Sequence, residues 1–249
     1  EQNLSKKTRT ESDLIGSREV PESALYGVQT LRGIENFRIS KFHLNEYPLF
    51  IQALAITKMG AAVANRELDL LTEEQADAIL KACKEILEGK HHDQFPVDMI
   101  QGGAGTTTNM NANEVIANRA LELMGHQRGE YQYCSPNDHV NRSQSTNDAY
   151  PTAIHIGLYY THLKLVKHFE VLIESFRKKA TEFAHVIKMG RTQLEDAVPM
   201  TLGQTFNGFA SILRHEVKNL DFAAQDFLTV NMGATAIGTG ITAEPEYAE

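Results

Sequence analysis

The chain is poor in cysteine and has no long hydrophobic run. It holds two cysteines, Cys83 and Cys134, and no tryptophan among its 249 residues. Two cysteines without metal-like spacing exclude a disulfide framework and indicate reduced thiols. No stretch of 18 apolar residues is present, and residues 1–9 are polar and charged, unlike a secretory signal peptide. We therefore expect a soluble protein of the cytoplasm without a membrane partner.

The charge balance is acidic rather than basic. Lysine and arginine number 24 against 32 aspartates and glutamates, which gives a net charge of −8. Surfaces that bind nucleic acid carry a basic stripe, so the composition argues against a nucleic-acid partner. It does not exclude an anionic ligand, because a local cluster of donors outweighs distant charges. With 42% hydrophobic residues, the chain can bury a sizeable core.

Helical periodicity dominates the first part of the chain. The pattern predicts helices over residues 49–66, 72–89 and 109–124, and no strand of any length up to residue 125. Thr72 opens a capping box with Gln75, and a glycine follows the end of the second and third helices. We assign residues 1–141 to a mainly helical N-terminal domain.

Two much longer helices follow. Pro151 suits the first turn of a helix, and apolar residues recur for about 30 residues after it, or ~45 Å. A second such segment follows Pro199. Because residues 188–199 join them, the two helices must lie antiparallel and share an apolar seam. Residues 142–249 are thus predicted to begin a long central helix bundle, and we expect both that other chains complete it and that the polypeptide has been cut short.

Three segments rich in glycine, hydroxyl or amide residues have the composition of helix starts that bind ligands. They are residues 102–109 (Gly-Gly-Ala-Gly-Thr-Thr-Thr-Asn), 143–148 (Ser-Gln-Ser-Thr-Asn-Asp) and 190–193 (Gly-Arg-Thr-Gln). Backbone N–H groups, hydroxyls and amides at such positions bind an anion without adding full charges. Three segments of this kind in one chain suggest a pocket for a small, highly charged carboxylate.

A structural explanation competes with this one at each segment. Thr108 or Asn109 can simply cap a helix after a turn, and residues 145–147 are the types that dominate helix caps. Residues 192–193 fit a connection between helices equally well. The first segment is no phosphate loop of the Walker type, because the Gly-Lys-Ser/Thr ending is missing. No metal site is expected at the adjacent histidines 91–92, since neighbours in sequence do not share a helix face.

Three longer motifs carry a resemblance to a known family. Residues 105–114 read Gly-Thr-Thr-Thr-Asn-Met-Asn-Ala-Asn-Glu, residues 136–148 read Pro-Asn-Asp-His-Val-Asn-Arg-Ser-Gln-Ser-Thr-Asn-Asp, and residues 190–204 read Gly-Arg-Thr-Gln-Leu-Glu-Asp-Ala-Val-Pro-Met-Thr-Leu-Gly-Gln. In this order they resemble the aspartase/fumarase superfamily, and the likeness runs from Arg9 to Ala243. The resemblance implies a mainly α fold of that type.

Several positions resemble the aspartases more than the class II fumarases. The triplet after Gln144 is Ser-Thr-Asn, where fumarases typically have Ser-Ser-Asn. Ser135 and Gln193 stand where fumarases usually carry histidine, and residues 123–133 are also aspartase-like. Glu195 departs from the pattern, because glutamine is common at that position.

The resemblance implies the reversible deamination of L-aspartate to fumarate and ammonia through an aci-carboxylate intermediate. The substrate, a small dicarboxylate, would be bound in sites shared between the subunits of a homotetramer. No organic cofactor is implied, and a divalent metal is an activator in some relatives rather than a catalytic ligand. The implied substrate-binding residues are Thr106, Ser145, Thr146, Asn147, Thr192 and Gln193.

The family's catalytic base is absent from this chain. It is a serine in the signature Gly-Ser-Ser-x-Met-Pro-x-Lys-x-Asn-Pro, which occurs nowhere in the 249 residues. We therefore expect this to be the N-terminal portion of a longer enzyme and to be inactive by itself. Two other functions stay open, a class II fumarase acting on L-malate and a helical assembly module without catalysis. The module, however, does not predict three intact donor motifs.

Overall fold

The computed structural model describes residues 7–248. It is mainly helical, which confirms the predicted fold class. The described residues form two compact units, one of residues 7–157 together with 230–248, the other of Leu158–Thr229. The proposed domains, residues 1–141 and 142–249, stay a prediction. No helix within residues 7–248 is long and apolar enough to cross a membrane.

A β-hairpin opens the first unit, and the prediction of no strand before residue 125 is wrong. Strand β1 (Thr8–Asp13) pairs antiparallel with β2 (Gly16–Pro21). The Asp13 carboxylate accepts two backbone N–H groups of the turn and a bidentate pair of hydrogen bonds from Arg32. These strands depend on their turn and on this ion pair rather than on an alternating apolar face, so hydropathy periodicity gave no sign of them.

Four helices build the core of the first unit: α1 (Val28–Asn36), α2 (Pro48–Glu67), α3 (Glu73–Leu87) and α4 (Thr106–Leu123). The predicted helices over residues 49–66 and 72–89 are confirmed. The predicted capping box is present, since the Thr72 hydroxyl accepts the Gln75 N–H at 3.2 Å and the Gln75 side chain accepts the Thr72 N–H. Gly89 follows α3 with a φ of 89°, a conformation that favours glycine.

Helix α4 begins at Thr106, so the predicted start at Asn109 is wrong. The earlier start is explained by the side chain of Gln101, which precedes the glycine-rich segment that begins at residue 102. Its Oε1 accepts the Thr108 N–H at 2.8 Å, and its Nε2 donates to the Thr108 hydroxyl at 2.7 Å. Gln101 thereby satisfies a first-turn donor that a capping residue would otherwise serve. Gly105 completes the entry with a φ of 88°.

The remaining regular elements are α5 (Thr146–Glu182), β3 (Ile187–Thr192), β4 (Glu195–Thr201) and α6 (Leu202–Ala224). The predicted antiparallel packing of the two long helices is confirmed within the second unit. Near one end His162 Nε2 lies 2.9 Å from Asp221 Oδ1, and near the other the Gly203 N–H donates to the Phe183 carbonyl at 2.9 Å. The link between the helices is the hairpin of β3 and β4.

Pro151 lies inside α5, so its predicted place in the first helical turn is wrong. Because proline has no N–H, the carbonyl of Asn147, one turn earlier, loses its helical donor. The Asn231 side chain donates to that carbonyl at 3.1 Å. A residue from the segment after α6 thus replaces the missing hydrogen bond, which allows the helix to begin before the proline.

Short turns complete the described chain. Ser135 caps a π-helical turn, because its hydroxyl accepts hydrogen bonds from the N–H groups of Asn137 and Asp138 at 3.2 and 3.1 Å. The turns are the π-helical Pro136–Val140 and the 3-10 turns Leu44–Glu46, His92–Gln94, Gln225–Leu228 and Pro245–Ala248.

Candidate functional site

The glycine-rich loop leaves hydrogen-bond donors at the N-terminus of α4. Gly103 and Gly105 have φ values of 72° and 88°, which other residues rarely adopt. A Cβ at Gly33 of α1 would overlap the methyl group of Thr107, so this close contact fixes the loop against α1. Thr106 is exposed. The first N–H groups of a helix have no intrahelical acceptor, and the adjacent hydroxyl adds another donor.

The Ser-Thr-Asn triplet forms the start of α5. The Ser145 hydroxyl accepts the Asn147 N–H at 3.2 Å, and Asp148 Oδ1 accepts the Ser145 N–H at 2.9 Å. This is a reciprocal cap, so the structural explanation of Ser145 holds. The hydroxyl accepts in this cap, and its proton stays available to another acceptor. Asp148 is fully buried, and its second oxygen accepts the Thr235 N–H at 2.8 Å.

Two contacts bring the starts of α4 and α5 together. Asn109 Nδ2 donates to the Thr146 hydroxyl at 3.2 Å. Gly105 lies against the ring of Tyr150, where a Cβ would overlap the ring atoms. The first structural unit therefore places the first turn of α4, which begins at Thr106, against the first turns of α5. This juxtaposition creates one cluster of uncharged donors from two helix N-termini.

Asn147 is engaged by the segment after α6. Its side-chain Nδ2 donates to the Ala236 carbonyl at 2.8 Å, while its own carbonyl accepts from Asn231. The side chain is nevertheless exposed. Asn147 thus ties residues 231–236 to the start of α5, and a role toward a ligand stays a prediction.

Thr192 and Gln193 lie in the second unit, whereas the other predicted residues belong to the first. They occupy the tip of the β3–β4 hairpin, where Gln193 and Leu194 take φ values of 49° and 70°. Two consecutive left-handed residues form the tight turn that suits a two-residue hairpin. Both predicted residues are exposed, as is Glu195, for which the structure gives no role.

Sequence reasoning missed a buried lysine beneath the donor cluster. Lys58 on α2 is 1% exposed, and its ammonium donates to Asn109 Oδ1 at 2.8 Å, Asn141 Oδ1 at 2.9 Å and Gln144 Oε1 at 2.8 Å. Burial lowers the pKa of Lys58 to about 7, while the charge of Asp148 acts in the opposite direction. The three donors of the ammonium are all satisfied, which is what a buried charge requires.

The position of Lys58 in α2 was the available signal. It follows Ile51 and Leu54 and precedes Ala62 at the three- and four-residue spacings of one buried helix face. Lysine is almost never fully buried unless it is paired. A lysine on an apolar stripe therefore indicates buried acceptors elsewhere. Its partners were not predictable, because they lie 51 or more residues away along the chain.

Within residues 7–248, no three histidine, cysteine, aspartate or glutamate side chains come together in a way that could hold a metal ion. The adjacent His91 and His92 have other partners, the Glu85 carboxylate at 3.0 Å and the Ile86 carbonyl at 2.9 Å. The thiols Cys83 and Cys134 are free and buried.

Comparison with known proteins gives the class of this chain. A protein-family model described as "Lyase" matches residues 16–249, so the chain belongs to this lyase family. It is similar to the aspartate ammonia-lyase of Escherichia coli (strain K12), with 56% identity over 245 residues, 98% of this chain and 51% of that protein. It is also similar to the aspartate ammonia-lyase of Helicobacter pylori (strain J99), with 55% identity over 239 residues, 96% of this chain and 51% of that protein.

Solved structures agree with this class. A fumarate lyase:delta crystallin from Brucella melitensis bound to cobalt superposes with a TM-score of 0.93 at 52% identity, covering 97% of this chain and 53% of that one. The class II fumarase from Schistosoma mansoni superposes with a TM-score of 0.88 at 36% identity, covering 97% and 50%. The chain spans about half the length of the curated relatives it matches.

Proposed function

We propose that this chain supplies substrate-binding groups of an aspartate ammonia-lyase, which converts L-aspartate reversibly to fumarate and ammonia. The supporting observation is the pair of helix N-termini, α4 and α5, joined by the 3.2 Å hydrogen bond from Asn109 to Thr146. Identities of 55–58% to proteins named aspartate ammonia-lyase favour this reaction over that of a fumarase, for which the identity is 36%.

The reaction places unusual demands on the groups around the substrate. A base removes a proton from the carbon beside the side-chain carboxylate, and the resulting aci-carboxylate carries two negative charges on one carboxyl group. Donors directed at that group stabilise it more than the ground state and so accelerate the step. Loss of one such donor costs roughly 3–4 kcal/mol in comparable sites. A cluster of hydroxyls and backbone N–H groups suits this task.

Each predicted residue receives a role in this proposal. Thr106, Ser145 and Thr146 bind the carboxylate that gains charge, or its neighbour. Asn147 positions the amine end of the substrate through its exposed amide. On the β3–β4 hairpin, residues 192–193 bind a carboxylate in a site of another subunit, which accounts for their exposure at a tip.

The proposed assembly is a homotetramer built on the long helices. Several apolar side chains of α5 and α6 are exposed, and burying them against other helices is favourable. Examples are Val171 at 67%, Ile212 at 61% and Phe222 at 83% exposure. No organic cofactor is part of this proposal, and a divalent metal would act as an activator.

The test joins this chain to the part of the Escherichia coli relative that follows the matched half. Fumarate absorbance is followed after adding L-aspartate or, in parallel, L-malate. The Escherichia coli enzyme carrying the same junction is the control for assembly. We expect fumarate from L-aspartate only. Fumarate from L-malate alone would assign a fumarase, and no product from either, with an active control, would overturn the proposal.

A Thr146→Val variant of the joined protein separates a lyase from an assembly module. The valine keeps the shape of the side chain and removes the hydroxyl. We expect unchanged assembly by light scattering and a loss of turnover of about 100-fold or more. Unchanged turnover would remove Thr146 from the site.

A further inference from the structure

We propose that Lys58 is a positioning residue that directs the hydroxyl proton of Thr146 toward an anionic ligand, acting through the side-chain amide of Asn109. The inference rests on the proposed function, because it assigns a purpose to the same donor cluster. It goes beyond that function in naming a residue of α2 that touches no substrate.

The first step is the saturation of the ammonium. Lys58 has three N–H donors and no acceptor, and it meets three side-chain oxygens at 2.8–2.9 Å, those of Asn109, Asn141 and Gln144. With the side chain 1% exposed, water cannot take over any of these bonds. Each amide must therefore turn its oxygen toward Lys58, and the charge makes these hydrogen bonds stronger than neutral ones.

The second step is the direction of the Asn109 amide. Because its oxygen faces Lys58, its NH₂ group faces away. That group donates to Asn141 Oδ1 at 3.1 Å and to the Thr146 hydroxyl at 3.2 Å. Both N–H bonds and the oxygen of Asn109 are then in use. A reversed amide would set its NH₂ against an ammonium, which has no acceptor to offer.

The third step concerns Thr146. Its hydroxyl oxygen accepts from Asn109, so its own proton must point elsewhere. Among the described residues, no hydrogen bond takes up that proton, so it is available to an external acceptor or to solvent. Lys58 thus directs the Asn109 N–H to one lone pair of the Thr146 oxygen, which leaves the hydroxyl proton to donate. Such a donor suits a carboxylate, and polarisation along the chain of hydrogen bonds strengthens it.

The same ammonium holds the segment that leads into α5. Asn141 Oδ1 also accepts from Asn113 at 3.1 Å, and Asn141 Nδ2 donates to the Gln144 carbonyl at 3.2 Å. Lys58 therefore fixes both ends of a short loop immediately before Ser145. The charged groups nearby are few, Asp148 on α5 and the potential thiolate of Cys83 on α3. Burial raises the pKa of Cys83 to about 12, so it stays a thiol.

The test uses the 249-residue chain and succinate, a dicarboxylate without the reactive amine. Lys58→Met keeps the length of the side chain and removes its charge and donors. Lys90→Met is the matched control, because Lys90 is exposed and its ammonium pairs with the exposed Glu88 carboxylate at 2.9 Å. Succinate affinity is measured by calorimetry, and the side-chain amide resonances of Asn109 are followed by NMR. Circular dichroism reports whether each variant is folded.

We expect Lys58→Met to displace the Asn109 amide resonances and to weaken succinate binding about 10–100-fold, by analogy with groups that orient the ligands of a metal ion. Lys90→Met should change neither. Equal affinities for Lys58→Met and the unsubstituted chain would overturn the inference and leave the proposed function standing. Absence of succinate binding by the unsubstituted chain would overturn the donor cluster as an anion site, and the inference with it, whereas turnover by the joined protein tests the proposed function separately.

A pH profile of the unsubstituted chain keeps the inference testable if Lys58→Met fails to fold. The ammonium form predominates below about pH 7 and is lost above it, because burial lowers the pKa of Lys58 to about 7. Succinate affinity should therefore fall as the pH rises from 6.5 to 8.5, where succinate itself stays doubly charged. A flat profile would overturn the role of Lys58, since a merely structural lysine would give one.

Discussion

Replacement of Gly105 by alanine should separate the starts of α4 and α5. Its cost in free energy of unfolding has two physical causes. The first is backbone strain, because Gly105 has a φ of 88°. A left-handed conformation costs an L-residue about 1–2 kcal/mol. The second is a collision, because a Cβ at this position would overlap the ring of Tyr150. Tyr150 cannot simply swing away, since its ring packs edge-on against Phe50 with the centroids 5.7 Å apart.

Gly125 provides a control in which only the backbone strain is present. It follows the other end of α4 with a φ of 84°, yet a Cβ there would meet nothing within 4 Å. Gly125→Ala should therefore cost about 1–2 kcal/mol. Gly105→Ala should cost about 1–3 kcal/mol more, the usual range for inserting a methyl group into packed structure.

Urea unfolding followed by circular dichroism measures both variants. In a chain that already carries Tyr150→Ala, the further change Gly105→Ala should lower the free energy of unfolding only by the backbone strain. The collision is absent there, because the ring that blocks the methyl group is gone. Succinate binding by Gly105→Ala should weaken, since α5 must shift away from α4. Equal losses of stability for Gly105→Ala and Gly125→Ala would refute the contact with Tyr150 as the determinant.

Three further predictions concern stability and activity. The buried carboxylate of Glu114 accepts three backbone N–H groups at the start of α1 and the Thr30 hydroxyl. Glu114→Ala should therefore lower the free energy of unfolding by about 3–5 kcal/mol. The control Glu67→Ala, at an exposed position, should lower it by less than about 0.5 kcal/mol, and urea unfolding measures both. Hydrogen bonding to Arg119 lowers the pKa of Glu85 to about 2. This depressed carboxyl pKa stabilises the fold above about pH 4.5, and the contribution is lost as the pH falls toward 2, so Glu85→Gln should flatten the acid-unfolding curve in that window. Finally, the 249-residue chain alone should release no fumarate from L-aspartate in an absorbance assay, because it lacks the serine signature; measurable turnover would contradict this.

Much of the helical architecture was predictable because its determinants are local. The capping box of Thr72 and Gln75 and the glycine at position 89 lie within a few residues of the helix that they delimit. The two hairpins were not predictable on the same grounds. The β3–β4 turn uses Gln193 and Leu194 in left-handed conformations without a glycine, so the usual turn signal is missing. The start of α4 depends on a side chain outside the recognisable loop.

In the candidate site, too, the residues at the helix starts were easier to predict than the buried residue that holds them. Composition singled out the segments at the helix starts, because few residue types donate to an anion without charge, and the family resemblance implied which of their residues bind substrate. Lys58 beneath them was not identified, since its acceptors come from α4 and from the loop before α5. Pairings over such separations are created by the fold, and periodicity marks only that a lysine occupies a buried face.

Helix capping and ligand binding call for the same residue types, so composition alone cannot separate them, but the hydrogen bonds can. Thr108 is buried, with its hydroxyl and N–H both engaged by Gln101, and it is closed to any ligand. The Ser145 hydroxyl accepts from its own helix and the Thr146 hydroxyl accepts from Asn109, so each retains a proton to donate. A residue can therefore cap a helix and bind an anion at once, provided that the protein occupies its oxygen and leaves its proton free.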